Sequence, residues 1–157
     1  DDAVAVLRNR LLPLASLITP NLPETEVLLG RGLATDEEAR TAALELAARY
    51  PGVWALVKGG HGSGAVATDV LAHAGRLWLF SAPREAVPTT HGTGCSLSAA
   101  IAACLALGAG PVAAVRRAKA YVLGRLRTCA MVGPGTWAML PPHDLPLPDI
   151  QVTECQP

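Results

Sequence analysis

The chain has 157 residues, half of them hydrophobic, and its 13 basic and 13 acidic side chains cancel to a formal net charge of zero. That length suits one domain with a sizeable core and excludes two independent ones. Balanced charge, with no basic run and no aromatic platform, excludes nucleic acid as an expected partner and offers nothing to an anionic membrane surface.

Gly, Pro or a charge breaks every apolar run well before the roughly 18 residues a spanning helix needs. The opening Asp1-Asp2 does not resemble a signal peptide, so the expected compartment is the cytoplasm. Cys95, Cys104, Cys129 and Cys155 form no CxxC pair, and neither a disulfide framework nor a zinc site is expected.

Residues 1–12 place Val4, Val6, Leu7, Leu11 and Leu12 near helical spacing and predict a helix ended by Pro13. The apolar run 14–19, stopped by Pro20, reads as a buried strand that opens at its carboxyl end into Asn21-Leu22-Pro23-Glu24. In open α/β sheets, ligands bind at that edge. Residues 24–29 predict a short helix closed by Gly30, and Thr35-Asp36-Glu37-Glu38 is a capping box opening a longer helix to about Tyr50. Pro51-Gly52 stop it before a strand at 53–57, so strand, helix and strand imply a parallel crossover.

Beyond Lys58-Gly59-Gly60-His61-Gly62-Ser63-Gly64, residues 65–71 and 77–80 predict a hairpin around His73-Ala74-Gly75-Arg76. Residues 81–90 form a polar approach to the next motif. Residues 96–107 predict a helix so uniformly apolar that it should be buried, closed by Gly108. Pro111 opens another helix, with Val112, Val115, Ala118, Val122 and Leu126 inward, Arg116, Arg117, Arg125 and Arg127 outward, and an end near Cys129. From Val132 onward, six prolines and two glycines predict an irregular tail with one strand at 136–140.

The chemistry gathers around Gly92-Thr93-Gly94-Cys95, which joins an extended segment to a helix. Two glycines permit positive φ and close approach of a ligand, and a helix N-terminus supplies unpaired N–H groups. Taken alone the stretch is equally a tight turn into a core helix, and it is neither a Walker A loop nor a dinucleotide fingerprint. Three further polar clusters fall at predicted strand ends or loops: Asn21 with Glu24, Lys58 with Gly59-Gly60-His61, and Thr89-Thr90-His91.

A carboxylate and a carboxamide can hold Mg²⁺, directly or through water, while a lysine and bare amides neutralise phosphate oxygens. Each residue also has a plainer reading. Glu24 suits the first turn of a helix, Lys58 a solvated strand end, and His61 and His91 hydrogen-bonded loop positions. Cys95 falls in a first helical turn, where the dipole favours a thiolate able to act as a base; its plainer reading is the small buried side chain assigned to Cys104 and Cys129.

In order and spacing, Thr19-Pro20-Asn21-Leu22-Pro23-Glu24, Val57-Lys58-Gly59-Gly60-His61 and Thr90-His91-Gly92-Thr93-Gly94-Cys95-Ser96-Leu97-Ser98-Ala99-Ala100-Ile101-Ala102 resemble the hydroxymethylpyrimidine/phosphomethylpyrimidine kinases of thiamine biosynthesis, in the ribokinase-like superfamily. The resemblance spans most of residues 1–130. It implies an α/β fold with a mostly parallel sheet flanked by helices. Residues 1–131 would be the C-terminal portion of that fold, carrying the ATP, Mg²⁺ and anion-hole loops, and residues 132–157 a Pro-rich tail. It further implies transfer of the γ-phosphoryl group of ATP, with Mg²⁺, to a pyrimidine alcohol or its monophosphate.

By position, the resemblance gives Asn21 and Glu24 the Mg²⁺ and phosphate shell. It gives Lys58, Gly60, His61, Thr90 and His91 the nucleotide, and Lys119 a place flanking the adenine. The amides of Gly92, Thr93, Gly94 and Cys95 form the anion hole, with Cys95 beside the acceptor oxygen. In sugar kinases of the superfamily this last position is an Asp, so a Cys points to the pyrimidine and related vitamin kinases. A pyridoxal-type kinase and a non-catalytic nucleotide-binding remnant are the alternatives. Members of the family normally begin with a longer segment bearing the first strands and an Asp-Pro-Val motif, so the chain is expected to need an N-terminal half or a second copy of itself.

Overall fold

Pro13 shapes the entry to the fold in the computed structural model, which describes residues 2–59, 64–87, 91–140 and 146–155. Helix α1 (Asp2–Val6) passes into a π-helical turn, Leu7–Leu11, and then a 3-10 turn, Leu12–Leu14. Proline has no N–H and its ring crowds a preceding carbonyl. The helix expected over residues 1–12 therefore ends through one widened and one tightened turn, with Leu12 N–H bonded to Leu7 O across the first.

Two compact units follow from the contacts, residues 1–81 with 151–157, and residues 82–150. In the first, β1 (Leu17–Ile18) is shorter than the expected run because Leu14 belongs to the 3-10 turn and Pro20 supplies no donor. Helix α2 (Leu22–Leu29) starts two residues before the expected position, because Asn21 caps it and Pro23 is tolerated in a first turn. Helix α3 (Asp36–Arg49) opens at the expected capping box, Thr35 with Glu38. β2 (Trp54–Val57) then lies parallel to β1, with Leu17 opposite Trp54 and Ile18 opposite Ala55.

β3 (Val66–His73) and β4 (Arg76–Pro83) are joined by Ala74 and Gly75, whose φ angles of 47° and 77° are what a type I′ turn requires. Each strand is longer than the expected one. The sheet is mixed: β1–β2 is its parallel pair, while β2–β3 and β4–β7 are antiparallel. The order is β1-β2-β3-β4-β7, where β7 (Gln151–Cys155) adds a fifth strand from the stretch expected to be an irregular tail. Helices α2 and α3 cover one face, with Leu28, Ala43, Leu46 and Ala47 against Ala55, Val57, Val70, Ala72 and Leu77. Trp54, Leu56, Asp69, Leu71 and His73 alternate to the other face, where Trp54 and His73 stack with ring centroids 4.2 Å apart.

The second unit is built on α4 (Thr93–Ala106) and α5 (Pro111–Arg127), with a hairpin of β5 (Ala130–Gly133) and β6 (Thr136–Ala138). Helix α5 buries Val115, Ala118, Val122 and Leu126 as expected. Arg116 and Arg127 bind outward partners, Asp149 at 2.8 Å and Glu85 at 2.7 Å, whereas Arg125, expected outward, is half-buried and donates to Met139 O at 2.7 Å. Helix α4 departs from expectation. It buries only Leu97 and Ile101, leaves Ala99, Ala102 and Ala103 exposed, and is followed by Leu107 at 86% exposure. Its apolarity is mostly alanine, which favours helix whether buried or not and so says little about burial. Among the described residues no helix is long and apolar enough to cross a membrane.

Candidate active site

In the first unit, the end of β1 and the end of β2 run side by side and bring two polar clusters together. Lys58 N–H donates to Pro20 O at 2.9 Å, and Asn21 and Lys58 form a parallel bridge. Asn21 is the N-cap of α2. Its Oδ1 accepts from Glu24 N–H at 2.8 Å, and Glu24 Oε2 accepts in return from Asn21 N–H at 2.7 Å. Beneath this box the buried Thr25 hydroxyl donates to Asn21 O at 2.8 Å.

The same Glu24 Oε2 lies 4.0 Å from Lys58 Nζ, where the lysine side chain is 18% exposed and the glutamate 58%. A carboxylate fixed by its own helix thus faces a largely buried ammonium. Among the described residues there is no group of three His, Cys, Asp or Glu side chains able to hold a metal ion. The Glu24 carboxylate is a single hard oxygen donor, the kind of ligand Mg²⁺ takes beside phosphate oxygens and water when it binds with a nucleotide. Glu24 Oε1 is the oxygen left outside the capping box. Asn21 Oδ1 is turned to its own helix, which makes the carboxamide first a cap.

The segment after β2 is held from β3. Gly59 N–H donates to Asp69 Oδ1 at 2.9 Å, and Asp69 is only 6% exposed. A Cβ on Gly59 would lie 1.9 Å from Thr68 O, so no other residue fits there without moving backbone. Neither Asp69 nor the steric need for Gly59 is marked in the sequence. Asp69 sits inside an ordinary strand pattern, and its partner is ten residues away.

In the second unit, Gly92 is the N-cap of α4 with φ 80° and ψ −5°, a left-handed conformation that glycine adopts without strain. No side chain caps this helix, whereas α2 and α3 both carry capping boxes. Thr93, Gly94 and Cys95 are its first turn, three residues earlier than the helix start expected near Ser96. Ser96 N–H closes the first backbone bond onto Gly92 O at 2.9 Å, and Ser98 Oγ donates to Gly94 O at 3.1 Å. Cys95 is exposed, and its thiol is free. A first turn without a side-chain cap, led by a left-handed glycine, directs backbone N–H groups and the positive end of the helix dipole outward.

His91 is exposed in the turn before Gly92. Lys119 lies on α5 and is 6% exposed, so it is not a solvated helix lysine, and it is not without a partner. Gly60, His61 and Thr90, together with Thr89, lie outside the described residues.

The helix-flanked mixed sheet with these glycine-led turns places the chain among small-molecule kinase folds. It matches pyridoxal kinase from Staphylococcus aureus, solved with AMP-PCP and pyridoxal, at a TM-score of 0.88 and 26% identity over 97% of this chain and 58% of that one. The family model described as phosphomethylpyrimidine kinase matches residues 1–139, and the chain belongs to that family. The hydroxymethylpyrimidine/phosphomethylpyrimidine kinase of Rhizobium meliloti (strain 1021) is 46% identical over 121 residues, covering 77% of this chain and 46% of that protein. That of Streptomyces coelicolor is 41% identical over 134 residues, 85% of this chain and 49% of its own. The chain thus spans about half the length of these relatives.

Proposed function

We propose that this chain carries the nucleotide and catalytic loops for ATP-dependent phosphorylation of hydroxymethylpyrimidine or its monophosphate, a step of thiamine biosynthesis. The observation that carries the reading is the start of α4, where Gly92 replaces a side-chain cap and the exposed Cys95 stands on the first turn. Phosphoryl transfer asks for alignment and for neutralising the charge that spreads over the transferred group. The amides of Gly92, Thr93, Gly94 and Cys95 supply donors for that charge, and Lys58 supplies a cation for the phosphates of ATP. Lys119 adds a buried cation on α5.

Glu24 would hold Mg²⁺ through Oε1 or an intervening water; when bound, the ion neutralises phosphate oxygens. The bond between the γ-phosphorus and the ADP oxygen breaks as a bond forms to the acceptor oxygen, which is the hydroxymethyl oxygen of the alcohol or a phosphate oxygen of its monophosphate. The hydroxyl proton leaves to Cys95 Sγ or to water. His91, and Gly60, His61 and Thr90 outside the described residues, are assigned to the nucleotide by their place in the motifs. Residues 1–139, which the family model matches, are assigned to the kinase domain together with β7, the fifth strand of its sheet.

A pyridoxal-type acceptor is the second reading, favoured by the likeness to the Staphylococcus aureus enzyme. The test is product analysis with ATP, Mg²⁺ and each alcohol, run on the chain alone and on the chain mixed with the amino-terminal half of a full-length relative. Pyrimidine phosphate or diphosphate as the product supports the proposal, and pyridoxal phosphate as the sole product transfers it to the second reading. Binding of Mg·ATP without turnover in the mixture points to a non-catalytic nucleotide-binding role. No binding and no turnover in a folded mixture overturns the kinase reading.

A further inference from the structure

The buried carboxylate of Asp69 belongs to no step described above, yet it sits next to the cation of the nucleotide site. Continuing the β2–β3 register, which sets Val57 opposite Val70, brings Lys58 opposite Asp69 and Gly59 opposite Thr68. The ladder cannot continue normally at Gly59, where the chain passes so close to Thr68 O that a Cβ there would lie 1.9 Å from it. The Gly59 N–H turns to the Asp69 side chain, at 2.9 Å. On the other side, Lys58 N–H is held by Pro20 O at 2.9 Å. The backbone that carries Lys58 is therefore tied at two consecutive amides, to the end of β1 and to β3.

A carboxylate that is 6% exposed is costly to bury unless it is hydrogen-bonded, and the Gly59 amide is one of the groups that satisfies it while being fixed in return. We propose that Asp69 is a positioning residue for the phosphate-binding Lys58, acting through the Gly59 amide to hold the end of β2 against β3. The proposal rests on the kinase reading for what Lys58 binds, but the anchor can be measured without it.

The experiment uses the full chain, ¹⁵N-labelled. Hydrogen exchange should show the Gly59 amide protected in the unaltered protein and released by Asp69→Ala, while Val70 and Leu71 in the ladder stay protected. Asp69→Asn, whose carbonyl oxygen can accept the same bond, should retain the protection. Should Asp69→Ala fail to fold, Asp69→Glu displaces the acceptor by one methylene and should raise Gly59 exchange.

Calorimetry with Mg·ATP supplies the second reading. Asp69→Ala should weaken binding roughly tenfold, and combined with Lys58→Met it should cost nothing beyond Lys58→Met alone, since a positioning residue acts through the lysine. Additive losses, or a Gly59 amide still protected in Asp69→Ala or Asp69→Glu, overturn the proposal. If the unaltered chain binds no Mg·ATP, the nucleotide reading fails and Gly59 exchange alone decides the anchor.

Discussion

Replacing Gly59 by alanine tests the local geometry most directly. The added methyl carbon would lie 1.9 Å from Thr68 O and 2.9 Å from Thr68 C, both backbone atoms that no rotamer change can move. Relief to even a tight 3.0 Å contact requires the end of β2 and β3 to separate by about 1.1 Å. Overpacking of this kind costs about 1–3 kcal/mol of stability. A displacement of about 1 Å beside a group that aligns substrate costs on the order of 100-fold in rate.

The control is Gly64→Ala, where the nearest non-neighbouring atom, Val66 O, is 3.9 Å away and no strain is expected. Urea unfolding followed by tryptophan fluorescence measures the first effect and initial rates of phosphoryl transfer in the mixture with the amino-terminal half the second, with Mg·ATP titration of each variant checking nucleotide binding. A Gly59→Ala protein that unfolds at the same midpoint as Gly64→Ala and binds nucleotide equally well would refute the reasoning.

Cys95→Ala should cut turnover far more than it weakens ATP binding, because the thiol is assigned to the acceptor side; equal losses in steady-state and binding measurements would count against that role. Asn21→Ala removes the cap of α2 and should lower stability by about 1 kcal/mol in thermal unfolding, with Asn21→Asp restoring most of it. Hydrogen bonds from the Ala34 and Thr35 amides hold the Glu38 carboxyl below its ordinary value. Its contribution to stability is therefore complete above that ordinary value, 4.5, and is lost as pH falls through the depressed one. Unfolding curves of Glu38→Gln below pH 4.5 should accordingly fall less steeply with acid than those of the unaltered chain, and parallel curves would remove Glu38 from the acid response.

How much of this was legible in the sequence depended on how local each signal is. Thr35 to Glu38 and Pro51-Gly52 bracket α3 with side chains that act within one turn, and its bounds came out within a residue. The Ala74-Gly75 turn was legible for the same reason. Asn21 and Glu24 carry the same box, but Pro23 reads as a breaker until its tolerance in a first turn is weighed, so the pair shows its ligand chemistry more plainly than its cap. Strand β7 had no local signal, because its partner β4 is far away in the chain and prolines dominate the approach. The burial of Lys119 and the exposure of α4 were equally hidden, since helical periodicity does not reveal which faces find a neighbour. Gly92 to Cys95 was legible as a candidate anion site because a glycine-led helix start is a property of consecutive residues.

The starts of three helices also sort the chemistry. Capping side chains take up amides that an anion would otherwise use at the starts of α2 and α3, whereas α4 is led by Gly92 with no side-chain cap. Asn21 and Glu24 are left with a different capability, that of a carboxylate fixed by Asn21 N–H and standing 4.0 Å from Lys58 Nζ. Structure and charge can be separated there, since glutamine serves as well as glutamate in a capping box. Glu24→Gln should keep the melting temperature of the unaltered chain while weakening the Mg²⁺ dependence of ATP binding. Asn21→Ala should lower the melting temperature, with a smaller effect on that dependence. If Glu24→Gln lowers stability as much as Asn21→Ala and leaves the Mg²⁺ dependence intact, Glu24 is a cap alone and the metal assignment falls.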